Sequence, residues 1–140
     1  MGSEFEKQLQ ANVNAMSSLE RKQFIDRTPN HLRVNLKDPT RSWDDLLALA
    51  VKTRALIIKN DIPDMGPKIP ESTLIRFIED AISVSLKSEY KTPQQQRYFI
   101  DSTEIKLKLK FRNPTTSFES QINLAIKTRM LLNEIGTIHS

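Results

Sequence analysis

Apolar residues at Phe5, Leu9, Val13, Met16 and Leu19 recur every three or four positions. This spacing predicts one buried stripe on a helix running to about Lys22. Thr28-Pro29-Asn30 then predicts a break, because the residue before proline is biased away from helical dihedrals. Leu32-Arg33-Val34-Asn35-Leu36-Lys37 alternates apolar and polar side chains, the period-two pattern of a short amphipathic strand. Asp38-Pro39-Thr40-Arg41-Ser42 reads as a turn and helix start, with Ser42 or Thr40 as cap and Asp44 and Asp45 in the first turn. The helix that follows extends to about Lys59, and the proline-rich connection Asn60–Pro70 interrupts the chain.

A third helix opens near Glu71-Ser72-Thr73, with Leu74, Ile75, Ile78, Ala81, Ile82 and Leu86 along one side. Lys91 to Gln96 is polar and reads as a loop. Ile105–Arg112 alternates again, as a second and longer strand. Asn113–Ser117 repeats the turn and cap, and a fourth helix reaches about Glu134 with Gly136 as its C-cap.

The repetition is literal. Residues 21–58 align without a gap on 96–133, and 14 of the 38 pairs are identical. The identities include Phe24-Ile25-Asp26 with Phe99-Ile100-Asp101, and Lys52-Thr53-Arg54 with Lys127-Thr128-Arg129. Two copies imply a pseudo-two-fold domain rather than a stacked array, which needs three or more units. The expected fold class is α+β, mostly helical, with the two strands paired antiparallel into one ribbon about the pseudo-dyad. Residues 1–5 read as a cloning scar. Residues 6–140 read as one intertwined domain, with repeat halves at about 6–60 and 71–136.

Composition narrows the function. With 38% hydrophobic and 27% charged residues, the chain falls among ordinary globular domains. It has no cysteine, which excludes disulfides and thiolate chemistry and fits a cytoplasmic location. Its longest apolar run, Leu46–Val51, is far short of the roughly 20 residues that span a bilayer. The two histidines are His31 and His139, and neither has a partner motif for zinc, nucleotide phosphates or a serine nucleophile. No enzyme activity, cofactor or metal is expected. Thr53 and Thr128 fall on the apolar stripe and should bond back to the preceding helical turn. Arg54 and Arg129 read as structural, pairing with an acid across the pseudo-dyad or reaching a phosphate. Trp43 and Phe118 read as core anchors.

The outward faces of the two strands carry Arg33, Asn35 and Lys37 in one copy, and Lys108, Lys110 and Arg112 with Lys106 in the other. A paired basic ribbon of this kind fits the major groove, where Arg and Lys bond guanine and Asn bonds adenine. The alternative is an edge hairpin whose lysines discourage aggregation.

The basic strand, the helix Ser42–Lys59 and the amphipathic helix opened by Pro70-Glu71-Ser72-Thr73 together resemble the ribbon-helix-helix family of DNA-binding proteins. The resemblance covers roughly residues 31–135. It implies base contacts from Arg33, Asn35, Lys37, Lys106, Lys108, Lys110 and Arg112, and a phosphate held by Ser72 or Thr73 at a helix N-terminus. The first helix would take the place of the missing last helix of the second copy. The implied role is sequence-specific binding of double-stranded DNA, as a repressor or an accessory factor of plasmid, phage or conjugative DNA. Self-association on adjacent sites and a protein partner in a nucleoprotein complex would accompany it. The competing expectation is a helical protein–protein interaction module with no nucleic-acid role.

Overall fold

The computed structural model describes residues 2–62 and 69–138. They form six helices: α1 (Gly2–Asn14), α2 (Ser18–Leu36), α3 (Trp43–Asp61), α4 (Glu71–Glu89), α5 (Pro93–Arg112) and α6 (Phe118–Ile138). Among the described residues there is no strand. The expected α+β class and its two-stranded ribbon are therefore overturned: both segments read as strands are the C-terminal parts of α2 and α5.

Packing supplies the reason. Leu32 and Leu36 are buried, but Val34 between them is 68% exposed. Leu107 and Phe111 are buried, but Ile105 and Leu109 are 54% and 64% exposed. The inward residues follow the four-residue step of a helix, continuing a buried row through Phe24, Ile25 and Thr28 in α2 and Phe99, Ile100 and Thr103 in α5. A six-residue window of alternating residues contains both periods.

Local signals start these helices where the apolar pattern alone suggests other elements. Ser17 and Glu20 form a capping box that opens α2, so the helix expected to run unbroken to Lys22 is divided at residues 15–17. Thr92 and Gln95 form the matching box for α5, with Pro93 in its first turn, so most of the segment read as the 91–96 loop is helical. Pro29 lies buried inside α2. An interior proline removes one backbone bond at a cost of about 3 kcal/mol, and burial of the surrounding row outweighs it. At the other end, α6 continues through Gly136, which is not a cap.

The second helix of each copy is as expected. Ser42 caps α3 by accepting from Asp45 N at 3.1 Å, and Ser117 does the same for Ser120 N. The turns before them are equivalent: Asp38 accepts from Thr40 N and Asn113 from Thr115 N, both at 2.9 Å. Trp43 is half-buried, with its indole N–H on Gln96, whereas Phe118 is 42% exposed and anchors no core.

The two copies interlock. α2 packs on α5 and α6, α3 packs on α5 and α6, and contacts between α2 and α3 of one copy are sparse. α4 leans on α3, and α1 leans on α6. The first helix thus stands to the second copy as α4 stands to the first. One core runs through both halves, with Ile25, Leu32, Leu49, Ile100, Leu107 and Leu124 fully buried.

Candidate functional site

The repeated Lys-Thr-Arg triplet sits at the centre of the pseudo-dyad. Thr53 and Thr128 hydroxyls donate to Leu49 O and Leu124 O, each at 2.8 Å, the backward bonds expected of buried threonines. Arg54 crosses to the other copy. Its Nε donates to Thr103 Oγ1 at 2.9 Å, and its Nη2 donates to Phe99 O at 3.1 Å and Ser102 Oγ at 2.6 Å. Arg129 returns the contact, donating to Thr28 Oγ1 at 3.0 Å and Phe24 O at 3.2 Å. Each guanidinium lies 4.3 Å from the centre of the phenylalanine ring it crosses, Phe99 and Phe24 respectively. The role is structural, and the partners are hydroxyls and carbonyls rather than an acid.

Burial lowers both arginine pKa values. For Arg54, Tyr90 and Tyr98 oppose the effect, while for Arg129 the neighbouring Arg27 adds to it. His31 is likewise pushed below its ordinary value by burial, then by Arg129 and Arg27. Among the described residues, no group of three or more His, Cys, Asp or Glu side chains could hold a metal ion, and no helix is long and apolar enough to cross a membrane. His139 lies outside the described residues, as does most of the proline-rich connection.

The residues expected to form one DNA-reading surface are divided between two. Arg33, Lys37 and Lys108 line a cleft of about 290 Å³ between α2 and α5, together with Leu36, Asp101, Glu104 and Ile105. Lys108 Nζ lies 3.5 Å from Glu104 there. Lys106 and Lys110 line a different groove against α3, where Lys110 pairs with Asp61. Asn35 is engaged within its own copy: it donates to His31 O at 3.0 Å and accepts from Arg41 at 2.8 Å. Arg112 is exposed at the end of α5. Ser72 and Thr73 are exposed in the first turn of α4, where Pro70 is the N-cap residue and no side-chain cap bond forms.

The α3 groove is the feature that sequence reasoning missed. α4 and α5 each pack on α3, and the groove beside them holds about 460 Å³. Ile57, Ile58, Ile82 and Leu109 give it apolar walls, and Lys106 and Lys110 give it a cationic edge. α4 adds an exposed stripe beside the groove, with Phe77 62% and Val84 67% exposed. The stripe was in the sequence: Phe77 and Val84 widen the apolar side of α4 past the arc that one buried face requires.

The duplication supplies an internal comparison. At the place equivalent to α4, helix α1 directs Leu9 and Val13 at the core, and no residue of its described part is a large exposed apolar side chain. Ile58 corresponds to Asn133, Ile105 to Asn30, Tyr98 to Gln23 and Lys106 to His31. The same fold therefore accepts polar residues where the α4 side exposes apolar ones. Leu19, opposite Gln94, and Phe118, 42% exposed opposite the half-buried Trp43, run the other way, and Val34 is as exposed as its counterpart Leu109. These three lie on separate elements or far apart in sequence, however, and form no stripe on one helix.

No family model, curated protein sequence or solved structure matches this chain.

Proposed function

We propose that this protein is a helical interaction module that docks a protein partner on the face formed by α3, α4 and α5. The observation that carries the reading is the asymmetry between pseudo-equivalent positions. Scattered apolar residues are normal on any surface, but here one side of a duplicated fold concentrates them and the other does not. Folding explains neither Phe77 nor Ile58, since α1 and Asn133 serve the same architecture without them. A rimmed apolar surface of this kind marks a protein contact.

The test grafts one copy's chemistry onto the other. Ile58→Asn, combined with Phe77→Ser, should leave the circular dichroism spectrum and thermal midpoint unchanged. Proximity labelling in cells that express the chain should recover a partner with the natural sequence and lose it with the double variant. The same set of labelled proteins for both, together with the same single-chain mass for both in solution, would overturn the reading.

A second reading, binding to double-stranded DNA through helices rather than a ribbon, draws on the distribution of charge. α2 and α5 together carry nine Lys and Arg against four Asp and Glu, so the excess positive charge of the chain resides on this pair. Arg33 and Lys108 share its cleft. If this pair binds the phosphate backbone, retention on duplex DNA falls steeply with salt, and replacing both residues by Ala lowers the log–log salt slope by about one for each phosphate no longer neutralised. A salt slope near zero for the natural chain would refute it.

A further inference from the structure

Resting on the interaction reading, we infer that the occupant of the α3 groove is a second copy of this chain, whose own α4 lies in it while the first copy's α4 enters the groove of the second. Three observations support this occupant over an unrelated protein.

The first is charge. The groove's wall on α5 carries Lys106 and Lys110 and no acid, while Asp61 on α3 pairs with Lys110. α4 carries Glu71, Glu79, Asp80 and Glu89 against Arg76 and Lys87, so an α4 entering the groove brings net negative charge to a net positive wall. Two of its acids are already engaged, Glu71 with Lys59 and Lys127, and Glu79 with Lys52. Asp80, on the border of the exposed stripe, makes no ion pair among the described residues, and neither does Lys106 on the groove's edge. Asp80 of the partner subunit is thereby matched to Lys106.

The second is the form of the stripe. Phe77, Ala81 and Val84 are exposed and spaced by four and three residues, the seam of a helix that packs against another helix. Ala81 at its centre lets two backbones approach, and the buried Leu86 holds the opposite side of α4 on its own core. α1 is also net acidic, but it has no such seam.

The third is closure. α4 is both the wall of one groove and the element that fits the other, so a two-fold axis between antiparallel α4 helices satisfies both grooves at once. The contact uses one patch twice, so it closes on itself. An α4 of 19 residues is about 28 Å long, enough to cover the apolar row from Ile58 to Leu109.

Sedimentation velocity of the full chain over a concentration series tests the inference. The natural sequence should show reversible association from the 16.1 kDa chain to twice that mass. Phe77→Ser and Ile58→Asn should each sediment at the single-chain mass, with an unchanged thermal midpoint at dilutions where the natural chain is itself monomeric. Asp80→Lys and Lys106→Glu should each weaken association about threefold or more, and the two reversals combined should restore it, which a general loss of packing would not do. A chain that stays monomeric at every concentration overturns the second-copy occupant, as does a dimer that Phe77→Ser and Ile58→Asn leave intact. If the chain is monomeric while the grafted variant still loses a labelled partner, the interaction reading stands and only the occupant is wrong. If both experiments fail, the face is not a docking surface.

Discussion

Replacing Arg54 by Ala should cost more than the same change at Arg129, although the two residues occupy equivalent positions. Both guanidiniums cross the pseudo-dyad, bond a threonine hydroxyl and a phenylalanine carbonyl, and stack on a ring at the same 4.3 Å. Their surroundings differ: Tyr90 and Tyr98, where the other copy has Ala15 and Gln23, favour the Arg54 cation. Arg54 makes a third bond, to Ser102 at 2.6 Å, where the other copy has Arg27, a like charge that disfavours the Arg129 cation. A hydrogen bond to a charged group contributes about 1.5–3 kcal/mol and the ring contact about 0.5–2. The carbonyls left behind keep their bonds from Thr103 and Thr28, and truncation relieves the desolvation of the guanidinium. The net loss is then about 3 kcal/mol for Arg54→Ala and about 1–2 for Arg129→Ala, a fall of roughly 6–12 °C against 2–8 °C in melting midpoint.

Urea unfolding followed by far-ultraviolet circular dichroism, with the two variants fitted to a shared slope, reads the difference directly. Arg54→Lys keeps the charge but loses the planar fork and should recover less than half of the loss. Equal costs at the two positions, or full recovery with lysine, would refute the argument that the third bond, the tyrosines and the like charge separate the two sites.

Leu32→Ala and Leu107→Ala each empty a fully buried position and should cost about 2–5 kcal/mol, whereas Val34→Ala and Leu109→Ala, at exposed positions between buried ones, should change stability by under about 0.5; a strand-like pattern of sensitivity in urea titrations would contradict the helices. Residues 1–62 and 69–140 should each be largely unfolded when separate and gain helical circular dichroism when mixed, because the core joins elements of both copies. His31 should make stability fall with acidity. Its folded pKa lies below the ordinary 6.5, so the unfolded chain binds the extra proton, and stability is full above about 6.5 and declines as the pH drops through that value toward the lower folded pKa. In unfolding titrations between about pH 5 and 7, His31→Asn should reduce this slope.

Much of the organisation was legible without coordinates. The gapless alignment of 21–58 on 96–133 showed the duplication, and the turn, the serine cap and the helix after it follow from local chemistry that acts within a few residues. The backward bonds of Thr53 and Thr128 and the cross-dyad reach of Arg54 and Arg129 were visible for the same reason, since a polar residue on an apolar stripe must find a partner. Two further local signals, the Ser17/Glu20 and Thr92/Gln95 capping boxes, were present in the sequence and would have started α2 and α5 correctly.

What sequence alone could not decide was which period governs Leu32–Lys37 and Ile105–Arg112. Residues 32, 34 and 36 satisfy a strand, while 32 and 36 satisfy a helix, and the choice depends on whether Val34 finds a neighbour across the fold. It finds none, because the wall that covers α2 comes from α5 and α6 of the other copy and meets the Ile25–Leu32–Leu36 row instead. The groove beside α4 was hidden for a related reason. Its walls belong to helices that are distant in sequence, and the significance of Ile58 and Phe77 emerges only when the interlocked copies place Asn133 and α1 at the matching positions. Short-range chemistry writes caps, turns and repeats into the chain; burial is settled by whatever the rest of the molecule brings against each face.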